Sequence, residues 1–361
     1  MTGPLTSKAG PLRRARSQMA PLVKTTLLNS GGYTLLRRLV PSRRIAILRY
    51  HAICGADGYA YADPTICISP EKFEAHVAYF AAHYAVLPLP EIVARVREGR
   101  SLPFNTLALT FDDGYADNLA AARVLAKYGL SATFYITAGC LAGDQPFWPS
   151  ELRYLLKAIP DSTLSMDVAG QAIAIPLTTA AERQSAVRKL TRLFKSNRIP
   201  VRDALREQLR LAAGRPALPR HMLQWEELAE MHRLGMTIGA HTLTHANLPS
   251  AGAEDAAVEI VESKARLERE LSTPVTMFSY PNGGAETYYT PELQQLVARA
   301  GFAAATSSHN AFAAVDSDLY ALERIEVEER LEDIVFALEV ERFAFRPQPT
   351  DNTPWASRPT S

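Results

Sequence analysis

The stretch that decides the fold of this 361-residue chain reads Leu107-Ala108-Leu109-Thr110-Phe111-Asp112-Asp113-Gly114. It is an apolar, strand-like run that ends in two adjacent carboxylates. In α/β folds, the residues directly after the carboxyl ends of buried parallel strands carry the chemistry. Successive strand residues point in different directions, so Asp112 and Asp113 can have different roles. The stretch therefore predicts a strand end at an active site, where one acid holds a metal and the other handles a proton.

A second predicted strand end supplies nitrogen ligands. The apolar stretch Met236-Thr237-Ile238-Gly239-Ala240 runs directly into His241-Thr242-Leu243-Thr244-His245. Two His residues four positions apart on one helical turn face the same way, and neutral imidazole is a good zinc ligand. With one Asp they make a three-ligand site that leaves positions open for water and substrate. The same spacing also arises by chance, with one His capping a helix or lying in the core, but the Asp pair favours the metal site.

Helical and strand-like segments alternate around these motifs. Residues 116–128 are predicted as a helix ended by Gly129, and residues 132–136 as the next strand. Helices are also predicted over residues 225–234 and 255–271. Such alternation indicates a parallel, barrel-like sheet. Residues 141–220 break the rhythm with a predicted hairpin over 164–176 and basic helical segments over 180–213 interrupted by Pro200, so we interpret them as an α+β insertion in the barrel.

The charge distribution separates the amino terminus from the rest. The net charge is only +1, which does not suggest a nucleic-acid partner, yet the ten Lys and Arg residues among the first 50 positions face no Asp or Glu there. We interpret residues 1–44 as a basic arm that either contacts an acidic membrane surface or is a solvated tail. Its apolar positions predict a short amphipathic helix beyond residue 20; they are Leu27, Leu28, Leu35, Leu36, Leu39 and Val40.

Several further features of the sequence bear on its cellular location, the state of its cysteines and its carboxyl-terminal residues. No convincing secretory signal or membrane-spanning run is found, so the expected location is cytoplasmic, with membrane association through the arm as the variant. Cys54, Cys67 and Cys140 are odd in number and lack metal-type spacing, which favours free thiols over a disulfide, although Cys54 and Cys67 could pair. The Pro-, Ser- and Thr-rich residues 347–361 are predicted to be a disordered tail.

Three motifs together resemble one family, the NodB-homology polysaccharide deacetylases, which are metal-dependent enzymes that remove acetyl groups from sugars. Thr110-Phe111-Asp112-Asp113 resembles the first motif, His241-Thr242-Leu243-Thr244-His245 the second, and Phe278-Ser279-Tyr280-Pro281-Asn282-Gly283 the third, over about residues 45–330. The resemblance implies a distorted (β/α) barrel of about seven parallel strands carrying the α+β insertion. It also implies a divalent metal, usually zinc, on Asp113, His241 and His245, with Asp112 as general base. Tyr280, Pro281 and Asn282 would line the substrate groove.

Two functional residues of the family pattern are missing from their usual positions, so other residues must take their roles. The third motif usually carries an Arg that orients the catalytic Asp, and here that position is Ser279. Arg324 is the candidate replacement, because a guanidinium fork suits a carboxylate, although a solvated charge near a strand end fits the sequence equally well. The family's late His, its general acid, would correspond to His309, which lacks a preceding apolar strand.

His51 is the better candidate for the general acid. It ends the apolar stretch of residues 45–50, an arrangement similar to the family branch that contains poly-N-acetylglucosamine deacetylases. Imidazole can release a proton near neutral pH, although a His at a strand end is otherwise usually structural. In the insertion, Trp148 is predicted either to stack on a sugar ring, together with Phe147, or to anchor the insertion to the barrel.

The expected function is hydrolysis of acetyl groups, above all N-acetyl groups of amino sugars, on a glycan or glycan intermediate. Two other classes stay open. One is a catalytically silent carbohydrate-binding or scaffold protein on the same fold, which Ser279 and the missing late His favour. The other is a membrane-associated interaction protein whose main functional element is the basic arm. The same centre could also hydrolyse a non-sugar amide, because the motifs identify the water-activating residues and not the substrate.

Overall fold

A computed structural model describes residues 21–143, 145–283 and 288–343 of the chain. Its ten described strands are β1 Ala46–Tyr50, β2 Ala85–Val86, β3 Thr106–Phe111, β4 Thr133–Ile136, β5 Thr163–Val168, β6 Gln171–Pro176, β7 Thr237–Ala240, β8 Met277–Ser279, β9 Ala304–Asn310 and β10 Leu322–Glu326. Seven of them form a closed parallel barrel in the order β1-β10-β9-β8-β7-β4-β3, since β3 also pairs with β1. The short strand β2 adds to the beginning of β3. The predicted seven-stranded α/β barrel is confirmed.

Helices surround this barrel. They are α1 (described over residues 21–29), α2 Gly32–Leu39, α3 Pro70–His83, α4 Leu89–Arg97, α5 Asn118–Lys127, α6 Trp148–Ala158, α7 Ala180–Ser196, α8 Ile199–Ala212, α9 Trp225–Arg233, α10 Leu248–Ala251, α11 Ala253–Leu271, α12 Pro291–Arg299 and α13 Leu331–Glu339. Short 3-10 turns cover Ala56–Ala60, Pro64–Ile66, Ala138–Gly143 and Glu341–Phe343. Within the described part of the chain, no helix is both long and apolar enough to cross a membrane.

Strand alternation divides the core into two clusters. Leu48 on β1 and Phe111 on β3 belong to the larger cluster, which packs the outside of the barrel against α3, α5 and α9. Ile47 and Ala108 lie at the alternate positions and join a smaller cluster with side chains of α4. Because successive strand side chains face opposite sides, this second set marks the barrel interior. It fills the half of the barrel nearest the amino ends of the strands.

The same alternation places the polar residues of the strand ends. Ile47 pairs with Ala108 and Arg49 with Thr110, so these positions are level across the β1–β3 pair. Two residues further along each strand, His51 and Asp112 continue the same inward-facing rows. The interior of the barrel therefore changes from apolar at the amino ends of the strands to charged at their carboxyl ends.

The insertion forms its own apolar cluster. Strands β5 and β6 make an antiparallel hairpin with Ala169 and Gly170 at positive φ in the turn, as the sequence predicts. Helices α6, α7 and α8 pack on this hairpin. Pro200 lies in the first turn of α8, where a missing N–H costs nothing, so it begins a helix and does not interrupt one.

The amino-terminal helices pack on the barrel. The Arg37 Nε atom of α2 lies 2.6 Å from Glu339 Oε1 of α13, and both side chains are buried. Leu35, Leu39 and Val40 are exposed on the same segment, so the predicted amphipathic helix is present but is broken at Gly31. The arm before residue 21 and the predicted tail from residue 347 lie outside the described residues.

Candidate active site

The carboxylate pair lies where β3 ends in the barrel. The Asp112 N–H still donates to the carbonyl of Tyr50, which continues the β1–β3 ladder, while Asp113 has φ of 76° and Gly114 φ of 90°. Left-handed backbone is uncommon for a residue other than Gly, so the chain turns sharply here. Both carboxylates are buried, with exposed fractions of 3% and 5%.

Asp113 meets the two His residues predicted as its partners. Its Oδ1 atom lies 3.5 Å from His241 Nε2 and 3.3 Å from His245 Nε2. One ligand atom from each of the three buried residues lies within 4.8 Å of the others, so the group could hold a metal ion. His241 Nδ1 lies 2.8 Å from the carbonyl of Ser279, an arrangement in which Nδ1 carries the proton and Nε2 presents its lone pair to the centre.

Burial favours the metal-binding, neutral form of the two His residues and leaves the Asp113 carboxylate in need of a cation. Burial lowers the pKa of His241 to about 4 and that of His245 to about 3, so both imidazoles are neutral near pH 7. Burial raises the pKa of Asp113, which shows that a carboxylate at this position needs a compensating charge. Two neutral imidazoles and one carboxylate are a donor set that suits zinc and related divalent cations. The residues therefore fit a metal centre.

The His residues do not lie on a helical turn, so that part of the prediction is wrong. Residues 241–247 form a loop, with φ of 63° at Thr242 and 56° at His245. The buried carboxylate of Glu259, on α11, accepts hydrogen bonds from the N–H groups of Leu243 (2.9 Å) and Thr244 (2.7 Å) and from the Thr244 hydroxyl. The loop is thus held by a residue 14 positions beyond His245 in sequence, which the spacing of the two His residues could not indicate.

Arg324 binds Asp112 inside the barrel. Its Nη1 and Nη2 atoms lie 2.7 Å from Asp112 Oδ1 and Oδ2, and the Arg324 side chain is completely buried. Burial raises the pKa of Asp112, but the charge and hydrogen bonds of Arg324 outweigh burial and hold that pKa well below its usual range. Asp112 is therefore an ionised, oriented carboxylate. The alternative of a solvated charge at Arg324 is wrong.

Ser279 explains how Arg324 reaches this position. Arg324 Nη2 donates to Ser279 Oγ at 3.0 Å, and Ser279 is itself fully buried. A small hydroxyl at this strand end leaves space for a guanidinium that comes from β10. The departure at position 279 and the presence of Arg324 are thus two parts of one packing arrangement.

The two candidate general acids occupy different environments. His51 Nε2 lies 3.9 Å from Asp112 Oδ2, and His51 borders the cavity above Asp112 and Asp113. Burial lowers the pKa of His51 to about 4. His309 lies within β9, so its predicted lack of a strand is wrong, but its side chain is exposed and packs against Tyr288 and Tyr289. The geometry favours His51.

The predicted substrate-contacting residues differ in access. Asn282 borders the cavity, but Tyr280 and Pro281 are buried away from it, and Tyr280 stacks on Tyr289. These two can support the wall but cannot touch a sugar, because the polypeptide turns after β8 and directs them into the core. Trp148 is 3% exposed and donates from Nε1 to the carbonyl of His245 at 3.1 Å. It anchors the insertion to the loop of residues 241–247 and also borders the cavity.

The cavity has a volume of about 740 Å³ and spans the barrel and the insertion. Besides the predicted residues, it is bordered by Arg49 on β1 and by Arg188, Arg192 and Lys195 on α7. The sequence analysis identified the insertion as basic but did not place these cations at the site. Only the packing of the insertion core determines which face of α7 turns toward the barrel.

Comparison with known proteins identifies the family of this chain. The family model described as polysaccharide deacetylase matches residues 99–305. The chain belongs to this family. The Bacillus subtilis (strain 168) protein YxkH is 20% identical over 300 residues, covering 82% of this chain and 76% of its own.

Two solved structures are similar in fold. The Streptococcus pyogenes deacetylase PplD in complex with acetate has a TM-score of 0.55 at 18% identity and covers 83% of this chain and 99% of its own. IcaB from Ammonifex degensii has a TM-score of 0.52 at 16% identity, with 83% and 99% covered. His51 and Arg324 lie outside the residues that the family model matches; His51 directly follows β1, and Arg324 lies on the adjacent strand β10.

Proposed function

We propose that this deacetylase is a metal-dependent hydrolase that removes N-acetyl groups from amino sugars of a glycan or glycan intermediate. The observation that carries the proposal is the position of the Arg324-bound carboxylate of Asp112 beside the Asp113, His241 and His245 group, in one cavity. A proton acceptor and a donor set for a cation thus face the same space. Two neutral His ligands and one carboxylate favour zinc.

Asp112 is proposed to take a proton from the attacking water. A carboxylate offers about four lone-pair sites, and Arg324 uses one on each oxygen, so Asp112 can still accept a proton while it stays oriented. A divalent cation held by Asp113, His241 and His245 supplies Lewis-acid chemistry, because it polarises the acetyl carbonyl and acidifies water. The proposed base, Asp112, and the proposed carboxylate ligand, Asp113, are therefore adjacent residues at one strand end.

His51 is proposed to return that proton to the leaving amine. Its low pKa makes it neutral in the resting site, so it must first receive a proton, and the Asp112 carboxylate lies 3.9 Å from its Nε2 atom. The proton removed from water then ends on the amine nitrogen as the carbon–nitrogen bond breaks, and acetate and a free amino sugar result. A backbone N–H near Asn282, which borders the cavity, is proposed to donate to the carbonyl oxygen as it gains charge.

The test measures metal content and acetate release together. Wild-type protein, Asp112→Asn, Asp113→Asn and His241→Ala are washed with a mild chelator, reloaded with Zn²⁺ and supplied with N-acetylglucosamine oligomers. We expect about one metal per wild-type chain, loss of metal in the last two variants, and loss of turnover with metal retained in Asp112→Asn. Metal binding without acetate release from wild-type protein would instead support the carbohydrate-binding alternative. Release from N-acetylated peptides but not sugars would support a non-sugar amide.

We also propose that the amino-terminal helices contact an anionic membrane surface. Five apolar side chains of this segment are exposed, near Arg38, Arg43 and Arg44; they are Leu22, Val23, Leu35, Leu39 and Val40. Apolar side chains beside basic ones are the pattern of interfacial binding. Co-sedimentation with phosphatidylglycerol vesicles should fall in Leu35→Ser/Leu39→Ser but not in Val315→Ser, which removes an exposed apolar side chain elsewhere. Equal binding to phosphatidylcholine vesicles, or no effect of the double substitution, would contradict the proposal.

A further inference from the structure

The cavity carries more positive charge than the proposed chemistry uses. We propose that the acetylated sugar which this site accepts carries a phosphoryl group, and that Arg188 and Arg192 of α7 bind that group. The inference rests on the proposed function, because it names the substrate class of the same site. It also makes the insertion the part of the chain that selects the substrate.

The two faces of α7 separate packing from binding. Ala186, Leu190 and Phe194 are buried in the core of the insertion. Arg188 and Arg192, one helical turn apart, border the cavity. Residues four apart lie on one helical face, and the buried set occupies the other side of α7. Since the insertion core determines the rotation of the helix, the guanidinium groups are turned toward the barrel.

Arg188 and Arg192 differ in their ion pairing from Arg153 and Arg49, which border the same cavity. Arg153 is paired with Asp63, and Arg49 Nη2 lies 3.3 Å from Glu326. Within the described ranges, no acidic side chain forms an ion pair with Arg188 or Arg192. Like charges four apart on a helix repel each other, so this arrangement weakens α7 unless an anion is present.

Arg49 adds positive charge to the barrel wall of the same cavity. Its side chain is nine-tenths buried, and its Nε atom is closed off from solvent, so a ligand in the cavity cannot reach that N–H. What Arg49 contributes is the charge of its guanidinium, which Glu326 partly offsets. The barrel wall and the insertion wall therefore both present positive charge to one space.

The number and type of these donors favour a phosphoryl group over a carboxylate. A phosphate monoester carries close to two negative charges near neutral pH and three acceptor oxygens. Guanidinium forks bind such oxygens in pairs. Arg188 and Arg192 together match that charge, and Lys195 borders the cavity one turn further along α7.

The experiment compares matched substrates in matched variants. Values of kcat/KM for acetate release are measured for N-acetylglucosamine, its 1-phosphate, its 6-phosphate, UDP-N-acetylglucosamine and N-acetylmuramic acid. The enzymes are wild type, Arg188→Gln/Arg192→Gln and Lys189→Gln, which removes an exposed charge of α7 that does not border the cavity. We expect wild type to prefer at least one phosphorylated sugar by about tenfold or more. The double variant should lose that preference and keep its rate on N-acetylglucosamine, whereas Lys189→Gln should behave as wild type.

Other outcomes overturn the inference and identify what replaces it. Equal kcat/KM for neutral and phosphorylated sugars, or a preference that survives in the double variant, would show that these Arg residues do not select the substrate while leaving the deacetylase proposal intact. A preference for N-acetylmuramic acid over every phosphorylated sugar would show that the Arg residues bind a carboxylate of the substrate and not a phosphoryl group. The 1-phosphate and UDP arms distinguish a free sugar phosphate from a sugar diphosphate.

A binding measurement tests the phosphoryl site independently of the proposed deacetylase activity. Calorimetry with N-acetylglucosamine 1-phosphate and 6-phosphate uses the turnover-deficient Asp112→Asn variant, with and without Arg188→Gln/Arg192→Gln. Weaker binding in the triple variant supports the phosphoryl site even if no sugar releases acetate from wild type. Equal binding of the sugar phosphates to both proteins overturns it even if acetate is released.

Discussion

Replacing Arg324 by Met should both destabilise the barrel and change the proton chemistry of Asp112. The guanidinium uses all five N–H donors inside the protein: Nε to the Ser307 carbonyl, Nη1 to Thr110 Oγ1 and Asp112 Oδ1, and Nη2 to Asp112 Oδ2 and Ser279 Oγ. Met fills much of the volume but provides none of these bonds. Removing one partner of a buried ion pair costs roughly 3–5 kcal/mol of unfolding free energy, since the other charge is left without compensation.

The direction of the pH effect follows from the Asp112 pKa. In wild type this pKa lies below the unfolded value of about 3.9, so the interaction stabilises the protein above that pH and is lost as the pH falls through the folded pKa. Without Arg324, burial dominates and the pKa rises above the unfolded value. The deficit of Arg324→Met should therefore be largest near neutral pH and shrink on acidification, and the acidic limb of kcat/KM should move to higher pH.

Urea unfolding at several pH values and a pH–rate profile measure both effects. Arg123→Met is the matched control, because Arg123 forms a 2.8 Å pair with Glu230 but its side chain is 58% exposed. That pair lies at the surface, where solvent and salt screen the charges, so its loss should change the free energy of unfolding little. The double variant Asp112→Asn/Arg324→Met should lose less stability than the sum of the single changes, since the uncompensated charge is gone. An unfolding midpoint of Arg324→Met equal to that of Arg123→Met, with an unmoved acidic limb, would refute the proposed ion-pair role.

Three further predictions test the site and its support. Glu259→Gln should weaken metal retention about tenfold or more in a chelator titration, since the loop that carries His241 and His245 loses a charged acceptor for two N–H groups; retention equal to wild type would contradict this role. Metal should stay bound as the pH falls from 8 to 5 and be released only toward pH 4, because protons compete for these His residues only near their lowered pKa values of about 4 and 3; release near pH 6.5 would show ordinary imidazoles. Gly239→Ala should reduce the unfolding free energy by about 1–3 kcal/mol, because a Cβ there would lie 2.6 Å from the ring of Tyr135; an unchanged urea midpoint would show that the ring can move.

The strands and helices were predictable because their signals are local. The apolar run before Asp112 and the one before His241 each form a strand that ends within one residue of the polar motif. The hairpin of the insertion follows from its alternating residues around Ala169 and Gly170. In each case the information lies within about ten residues, the range over which strand period and turn chemistry act.

The support of the site was not predictable in the same way. A spacing of four suggested a helical turn for His241 and His245, but Glu259 and the strand pairing hold these residues in a loop. The contact of Arg324 with Asp112 joins residues 212 positions apart. The sequence could offer Arg324 as a candidate by its chemistry, yet only closure of the barrel selects it over other Arg residues.

Barrel closure therefore has a chemical consequence as well as a structural one. Strands β1 and β10 lie outside the matched family segment, pair with each other, and complete the ring beside β3. They bring His51 and Arg324 to the same Asp112 carboxylate, whose Oδ2 lies 3.9 Å from His51 Nε2 and 2.7 Å from Arg324 Nη2. A weakened closure between β1 and β10 would separate Arg324 from the carboxylate of Asp112, while the β1–β3 pairing would keep His51 beside Asp112, and Asp113, His241 and His245 would stay together on β3 and the β7 loop. Metal binding and turnover are thus expected to respond separately to changes in this barrel.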